Sequence, residues 1–102
     1  PSGVTKIGDS AFYNCRSLSS IDIPNSVTSI SSYTFSGCYS LSSITIPNGV
    51  TSIGASAFEN CHSLSNIVIP SGVTSIGYCA FYGCTGLTEV ILSEFENKFP
   101  CK

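Results

Sequence analysis

The sequence has one histidine and no methionine or tryptophan, and only 10% of its 102 residues are charged. No charged side chain falls between Asp22 and Glu59. Four Lys+Arg against six Asp+Glu leave a net charge of −2, without the clustered basic residues that nucleic acid or an anionic membrane requires. Long apolar runs are missing too. The longest aliphatic runs are three residues, Ile67-Val68-Ile69 and Val90-Ile91-Leu92, whereas a membrane span needs roughly 20 apolar residues. No basic-then-apolar leader opens the chain. With no initiator methionine either, the expectation is a mature piece or an excised fragment of a longer protein. N-x-S/T sites are absent, so glycosylation says nothing about compartment.

The chemistry-bearing motifs are missing as well. There is no G-x-S-x-G turn, no glycine-rich phosphate loop and no close carboxylate pair. With 20 serines and His62 alone, any Ser–His–acid grouping is accidental, and Glu94 and Glu96 read as solvated charge in the tail. The expectation is therefore no enzyme, no catalytic residue and no cofactor.

What is present is 42% hydrophobic residues, enough to exclude disorder by composition, and a repeat. Pro1, Pro24, Pro47 and Pro70 open four 23-residue units: residues 1–23, 24–46, 47–69 and 70–92. Within the unit, places 1, 4, 5, 7, 12, 15 and 18 are Pro, Val, Thr, Ile, Phe, Cys and Leu in all four copies. Ile21-Asp22-Ile23 and its copies alternate apolar and polar, the mark of a short strand, and the proline after them cannot join a ladder. Val-Thr-x-Ile-Gly reads as a second short extended segment. Ser31 stands where the other units have Gly8, Gly54 and Gly77, so a left-handed backbone is not obligatory there. Ala-Phe-x-x-Cys and Cys-x-x-Leu have one-turn spacing and predict short helical or 3-10 turns. One unit cannot cover its own apolar side chains, but copies stacked at about 4.8 Å turn each recurrent residue into a column. The expected fold is an α/β solenoid, mostly β: a right-handed stack of four units with a parallel inner sheet at places 18–23 and a second, shorter ladder. Residues 93–102, SEFENKFPCK, read either as a cap, with Phe95 and Phe99 folded over the last rung, or as a linker or sequence foreign to the natural chain.

The pattern L-x-x-I-x-I-P-x-x-V-x-x-I-G-x-x-A-F-x-x-C closely resembles the BspA-like, Treponema pallidum-type subclass of leucine-rich repeats, over residues 1–92. The resemblance implies a cell-surface or secreted protein that adheres to host or microbial surface or matrix proteins, with no catalytic residues to carry over. Ser93-Glu94, where a fifth unit would begin, and the lack of a cap before Pro1 depart from the family pattern.

Four of the six cysteines, Cys15, Cys38, Cys61 and Cys84, share one unit place. Stacking brings their Cα atoms to about 5 Å but with parallel rather than converging Cβ vectors, so a column of reduced thiols is expected. A linear column also cannot converge on a metal ion. Cys79 and Cys101 stand outside the column and are the candidate disulfide, with Cys101–Cys84 as the alternative. Aromatic and hydrogen-bonding residues at outward places, namely Tyr39, His62, Tyr82, Thr45 and Asn66, are the candidate partner-binding residues. The small hydroxyls at places 17, 19, 20 and 22 could equally just suit a tight parallel sheet. Regular threonines (Thr5, Thr28, Thr51, Thr74) raise an ice-binding alternative, against which they lack x-Thr-x-Thr spacing. The leading function is non-catalytic adhesion, and the alternative is a structural spacer or terminal cap of a longer array with binding located elsewhere.

Overall fold

A computed structural model describes residues 3–87 of the chain. The tail at 93–102, with the capping expectation placed on it, lies outside the described residues. Four two-residue strands, β1 (Lys6–Ile7), β2 (Ser29–Ile30), β3 (Ser52–Ile53) and β4 (Ser75–Ile76), pair in the order β1-β2-β3-β4. All pairs are parallel and in identical register, with Lys6 opposite Ser29, Ser29 opposite Ser52 and Ser52 opposite Ser75. Each step is one repeat unit, so the chain rises one rung per 23 residues and like side chains meet like.

Beyond the isoleucine of β3 the backbones of neighbouring rungs close on each other. A Cβ at Gly54 would lie 2.5 Å from the Ser32 nitrogen and 2.7 Å from the Ser31 carbonyl carbon of the rung before, so backbone approaches backbone where only glycine fits. Gly8, Gly54 and Gly77 are not left-handed, in keeping with serine at the equivalent place in the second unit.

From there each unit makes a chain of separate turns. In the first unit, N–H groups of Ala11, Tyr13, Cys15 and Leu18 donate to the carbonyls three residues back at 3.1–3.2 Å. These are the predicted one-turn spacings, but no helical segment forms among the described residues. Two left-handed residues per unit interrupt them. One is at place 10 (Ser10, Tyr33, Ser56, Cys79; φ 56 to 60°) and the other at place 14 (Asn14, Gly37, Asn60, Gly83; φ 58 to 78°). Asn and Gly tolerate that region. Ser, Tyr and Cys at place 10 do so at a strain cost, held there by bonds between rungs.

Those bonds form a ladder running opposite in donor sense to the strands. Ser10, Phe12 and Asn14 donate to the carbonyls of Ser32, Thr34 and Ser36 at 2.8–3.0 Å, and the pattern repeats at each rung. The third side of the unit is a correction to the sequence reading. Among the described residues, places 18–23, expected to carry the main parallel sheet, hold only one isolated bridge, Ser43 to Asn66, with Ser42 to Ser19 and Ser65 to Ser42 bonds of 3.2 and 3.3 Å. The regular ladder is the one at places 6–7. Alternation of Ile with polar residues marks which side chains are buried, and it does so correctly here, but it does not fix how closely two backbones pair.

The core is a set of columns. Phe12, Phe35, Phe58 and Phe81 stack ring on ring at 5.4, 5.3 and 5.4 Å, within 11° of parallel. Alongside run Cys38, Cys61 and Cys84, Leu41, Leu64 and Leu87, and Ile44 and Ile67, all buried. Thr34, fully buried where the other units have alanine, is satisfied by the Ser31 and Gly8 carbonyls at 2.8 and 3.2 Å. No buried side-chain polar atom lacks a partner among the described residues, which is what a low-dielectric interior demands.

Candidate functional site

The candidate residues fall on three separate surfaces. Tyr39 and His62 come together at unit place 16. Their rings stack at 4.9 Å and 14°, and the Arg16 guanidinium lies 4.8 Å from the Tyr39 centroid on the preceding rung. Three consecutive rungs thus build a planar column of cation, phenol and imidazole. Tyr39 is largely committed to holding that column, while His62 is exposed.

Thr45 and Asn66 lie elsewhere, on the exposed side of places 18–23. They line a shallow depression of about 440 Å³ with Ser43, Asn48, Val68 and Pro70. Val68, 76% exposed, sits among them as the most accessible aliphatic side chain. Ile44, Ile46 and Ile67 line it as well, so the depression offers apolar contact beside hydrogen bonds.

Tyr82 belongs to the third surface, on the turn side. Tyr13, Tyr33 and Tyr78 stand at nearby places of the same turn segment, and all four are between 45% and 63% exposed. Tyr13 and Tyr33 meet edge to face, with centroids 6.4 Å apart. Tyr33 and Tyr78 were not singled out from sequence. They occur once each at places 10 and 9, where the other units carry Ser, Cys, Asp or Ala, so no recurrence flags them. The available signal was their type: aromatic rings at places whose other occupants are small or polar.

The cysteine column is buried from the second rung on, whereas the threonine column at place 5 is exposed. Cys38, Cys61 and Cys84 donate from Sγ to the carbonyls of Phe12, Phe35 and Phe58 of the preceding unit at 3.2, 3.2 and 3.0 Å. These three and Cys15 are free thiols. Burial pushes the Cys38 thiol up to about 11 and the Cys84 thiol up to about 12. It raises Cys61 as well, with the neighbouring Cys84 and Cys38 adding to the effect. Thiols so held are inert packing groups. Cys79 is disulfide-bonded; Cys101 lies outside the described residues. The threonine hydroxyls at place 5 reach back to the carbonyl of the threonine one rung earlier at 3.3–3.4 Å, so they brace the stack rather than present a free array to water. Among the described residues no three His, Cys, Asp or Glu side chains gather as a metal site would require, and no helix is long and apolar enough to cross a membrane.

A family model described as a BspA type leucine rich repeat region (6 copies) matches residues 1–100. The chain belongs to this family. Three solved BspA-like or leucine-rich relatives superpose on it. A leucine-rich repeat protein from Bacteroides ovatus is 50% identical with a TM-score of 0.81, over 85% of this chain and 22% of its own. The T. pallidum leucine rich repeat protein is 28% identical with a TM-score of 0.72, over 83% of this chain and 50% of its own. A leucine rich cell surface protein from Faecalibacterium prausnitzii is 38% identical with a TM-score of 0.66, over 86% of this chain and 29% of its own. The chain therefore spans between about a fifth and a half of these relatives. Among curated protein sequences there is no match.

Proposed function

We propose that this chain is a non-catalytic protein-binding module of a cell-surface or secreted BspA-like protein, acting in adhesion to host or microbial surface or matrix proteins through its turn side. Membership of the repeat family supports a module that binds protein, and the relative described as a leucine rich cell surface protein supports the location. The observation that carries the reading is the set of four tyrosines, 45–63% exposed, on the turn segments at unit places 9, 10 and 13. Exposed tyrosine is an amphipathic ring with little conformational entropy to lose, and it anchors protein interfaces more than most residues do. His62, at the open end of the Arg16–Tyr39 stack, extends the same kind of surface, and Thr45 and Asn66 remain a lesser hydrogen-bonding site. A Cys79–Cys101 disulfide, joining the tail to the fourth rung, completes the proposal. The spacer or terminal-cap alternative rests on the inner side, where Ser43, Thr45 and Asn66 present short polar groups beside Val68 and Pro70.

The purified chain applied to a panel of immobilised extracellular-matrix proteins separates the two. Binding by the parent, reduced about tenfold or more in Tyr78→Ala/Tyr82→Ala and unchanged in Thr45→Ala, supports adhesion through the turn side. A parent that binds none of the panel leaves the spacer role as the better description.

A further inference from the structure

Asn48 and Gly49 form the only Asn-Gly pair in the chain. They are the exposed tip of the turn that opens the third rung, closed by the Val50 N–H on the Pro47 carbonyl at 3.1 Å. The second rung repeats this turn, with the Val27 N–H on the Pro24 carbonyl at 3.1 Å, and it too has an exposed asparagine, Asn25. The two turns differ in the residue that follows the asparagine. Ser26 is half-buried and donates its hydroxyl to the Val4 carbonyl of the preceding rung. Gly49 is exposed, and neither its N–H nor the Asn48 side chain makes a hydrogen bond among the described residues. Shape does not demand glycine there. Its φ is not left-handed, and an added Cβ would come no nearer than 3.8 Å to its closest neighbour, the Asn25 carbonyl oxygen.

A peptide nitrogen that follows asparagine can attack the side-chain amide carbon, and glycine, having no Cβ, hinders that approach least. We propose that Asn48 is a site of spontaneous deamidation. The Gly49 nitrogen bonds to the Asn48 Cγ while the Cγ–Nδ2 bond breaks, and the proton lost from the Gly49 nitrogen ends on the departing amide, which leaves as ammonia. Water then opens the five-membered imide at either carbonyl and yields aspartate or isoaspartate. The other described asparagines are less well placed. The Cys15 and Cys61 N–H groups, which follow Asn14 and Asn60, are bonded to the Phe12 and Phe58 carbonyls at 3.1 and 3.2 Å, and Asn66 precedes β-branched Ile67. The change alters a particular surface. Asn48 lines the depression with Ser43, Thr45, Asn66, Val68 and Pro70, none of them charged, in a stretch without charge from Asp22 to Glu59. Deamidation puts a carboxylate on that neutral surface, and isoaspartate also lengthens the main chain inside the turn. None of this depends on the turn side being the contact surface.

Incubation of the native chain at pH 8, followed by peptide mapping that separates the amide, aspartate and isoaspartate forms, tests this directly. Asn48 should convert first, to both aspartate and isoaspartate, and a more acidic species should appear on anion exchange. Asn25, in the matched turn, should stay intact over the same period. Conversion should be slower at pH 6, because the attacking nitrogen must give up its proton. Gly49→Ser copies the second rung and fits the open space around Gly49. It should keep the parental unfolding midpoint and lose the conversion over the time in which half of the parent is modified. Asn25 converting as fast as Asn48, aspartate without isoaspartate, or parental conversion in Gly49→Ser overturns the proposal. So does a native chain that stays unmodified while the same chain unfolded in urea deamidates.

Discussion

Phe12 and Phe58 hold the same place in two copies of one unit, yet Phe58 is completely buried and Phe12 is only half-buried. The same contrast separates Leu18 from Leu64, Cys15 from Cys61 and Ile7 from Ile53. The units differ little in their apolar residues, so the difference is one of neighbours. Phe58 is stacked on both faces by Phe35 and Phe81, and Phe12 on one face by Phe35. Burial in this molecule is a property of the interface between rungs and not of the rung itself, as expected of a quasi-one-dimensional array.

The largest effect should come from breaking that contrast at its centre. Phe58→Ala removes a ring from the middle of the column and leaves a cavity with rigid rings above and below, at a cost of about 3–5 kcal/mol. Phe12→Ala opens toward solvent and should cost no more than about half as much. Urea unfolding of the two variants measures both. Equal losses would mean that the rungs do not derive their stability from their neighbours.

The same neighbour logic applies at place 14, where Asn14, Gly37, Asn60 and Gly83 alternate down the stack. All four are left-handed, but the alternation has a steric cause. The side-chain amide of Asn14 occupies the space in which a Cβ of Gly37 would sit, and that of Asn60 does the same at Gly83. Gly83→Asn keeps a residue that tolerates the left-handed region and adds only crowding, so it should cost about 1–3 kcal/mol. Asn60→Gly in the same chain should restore most of the loss, and a double variant no better than Gly83→Asn alone would show that crowding is not the cause. Thermal unfolding of the three chains reads the outcome.

Much of this was legible in the sequence, because a strict 23-residue period converts a one-dimensional pattern into columns. The inward Phe, Leu, Cys and Ile columns, the parallel pairing and the free thiols all follow from translating one unit along an axis. Two kinds of feature did not follow. Backbone geometry was one: Ile-x-Ile at places 21–23 gives the correct faces but not the strength of pairing, and nothing at place 10 in Ser, Tyr, Ser and Cys announces a left-handed residue. The Asn/Gly alternation at place 14 has the composition of a left-handed position, but it was not read as one. The other was the candidate site. A repeat makes recurrent residues conspicuous, but recurrent residues build the stack. Tyr33 and Tyr78 are prominent only because they interrupt the recurrence, while Tyr39, Thr45 and Asn66 were chosen for chemistry at outward places.

The sharpest comparison between rungs is expected at the cysteines. An ordinary thiol titrates at 9.0, while Cys38 is pushed up to about 11 and Cys84 up to about 12 by burial. A folded-state value above the unfolded one means that the folded chain holds the proton more tightly, so this contribution is fully present below pH 9 and is lost as the pH rises from about 9 to about 12. The loss has a structural origin, since a thiolate can no longer donate to the Phe12 or Phe58 carbonyl. The unfolding midpoint should fall across that range, and the fall should be shallower in Cys38→Ala/Cys84→Ala. Alkylation followed by mass measurement tests the same column at pH 8. In the native chain Cys38, Cys61 and Cys84 should stay unmodified while half-buried Cys15 reacts first. Unfolded without reduction, the chain should take up four labels, and after reduction six, as a Cys79–Cys101 bond requires. Six labels without reduction would remove that bond, and early labelling of Cys61 ahead of Cys15 would remove the protected column itself.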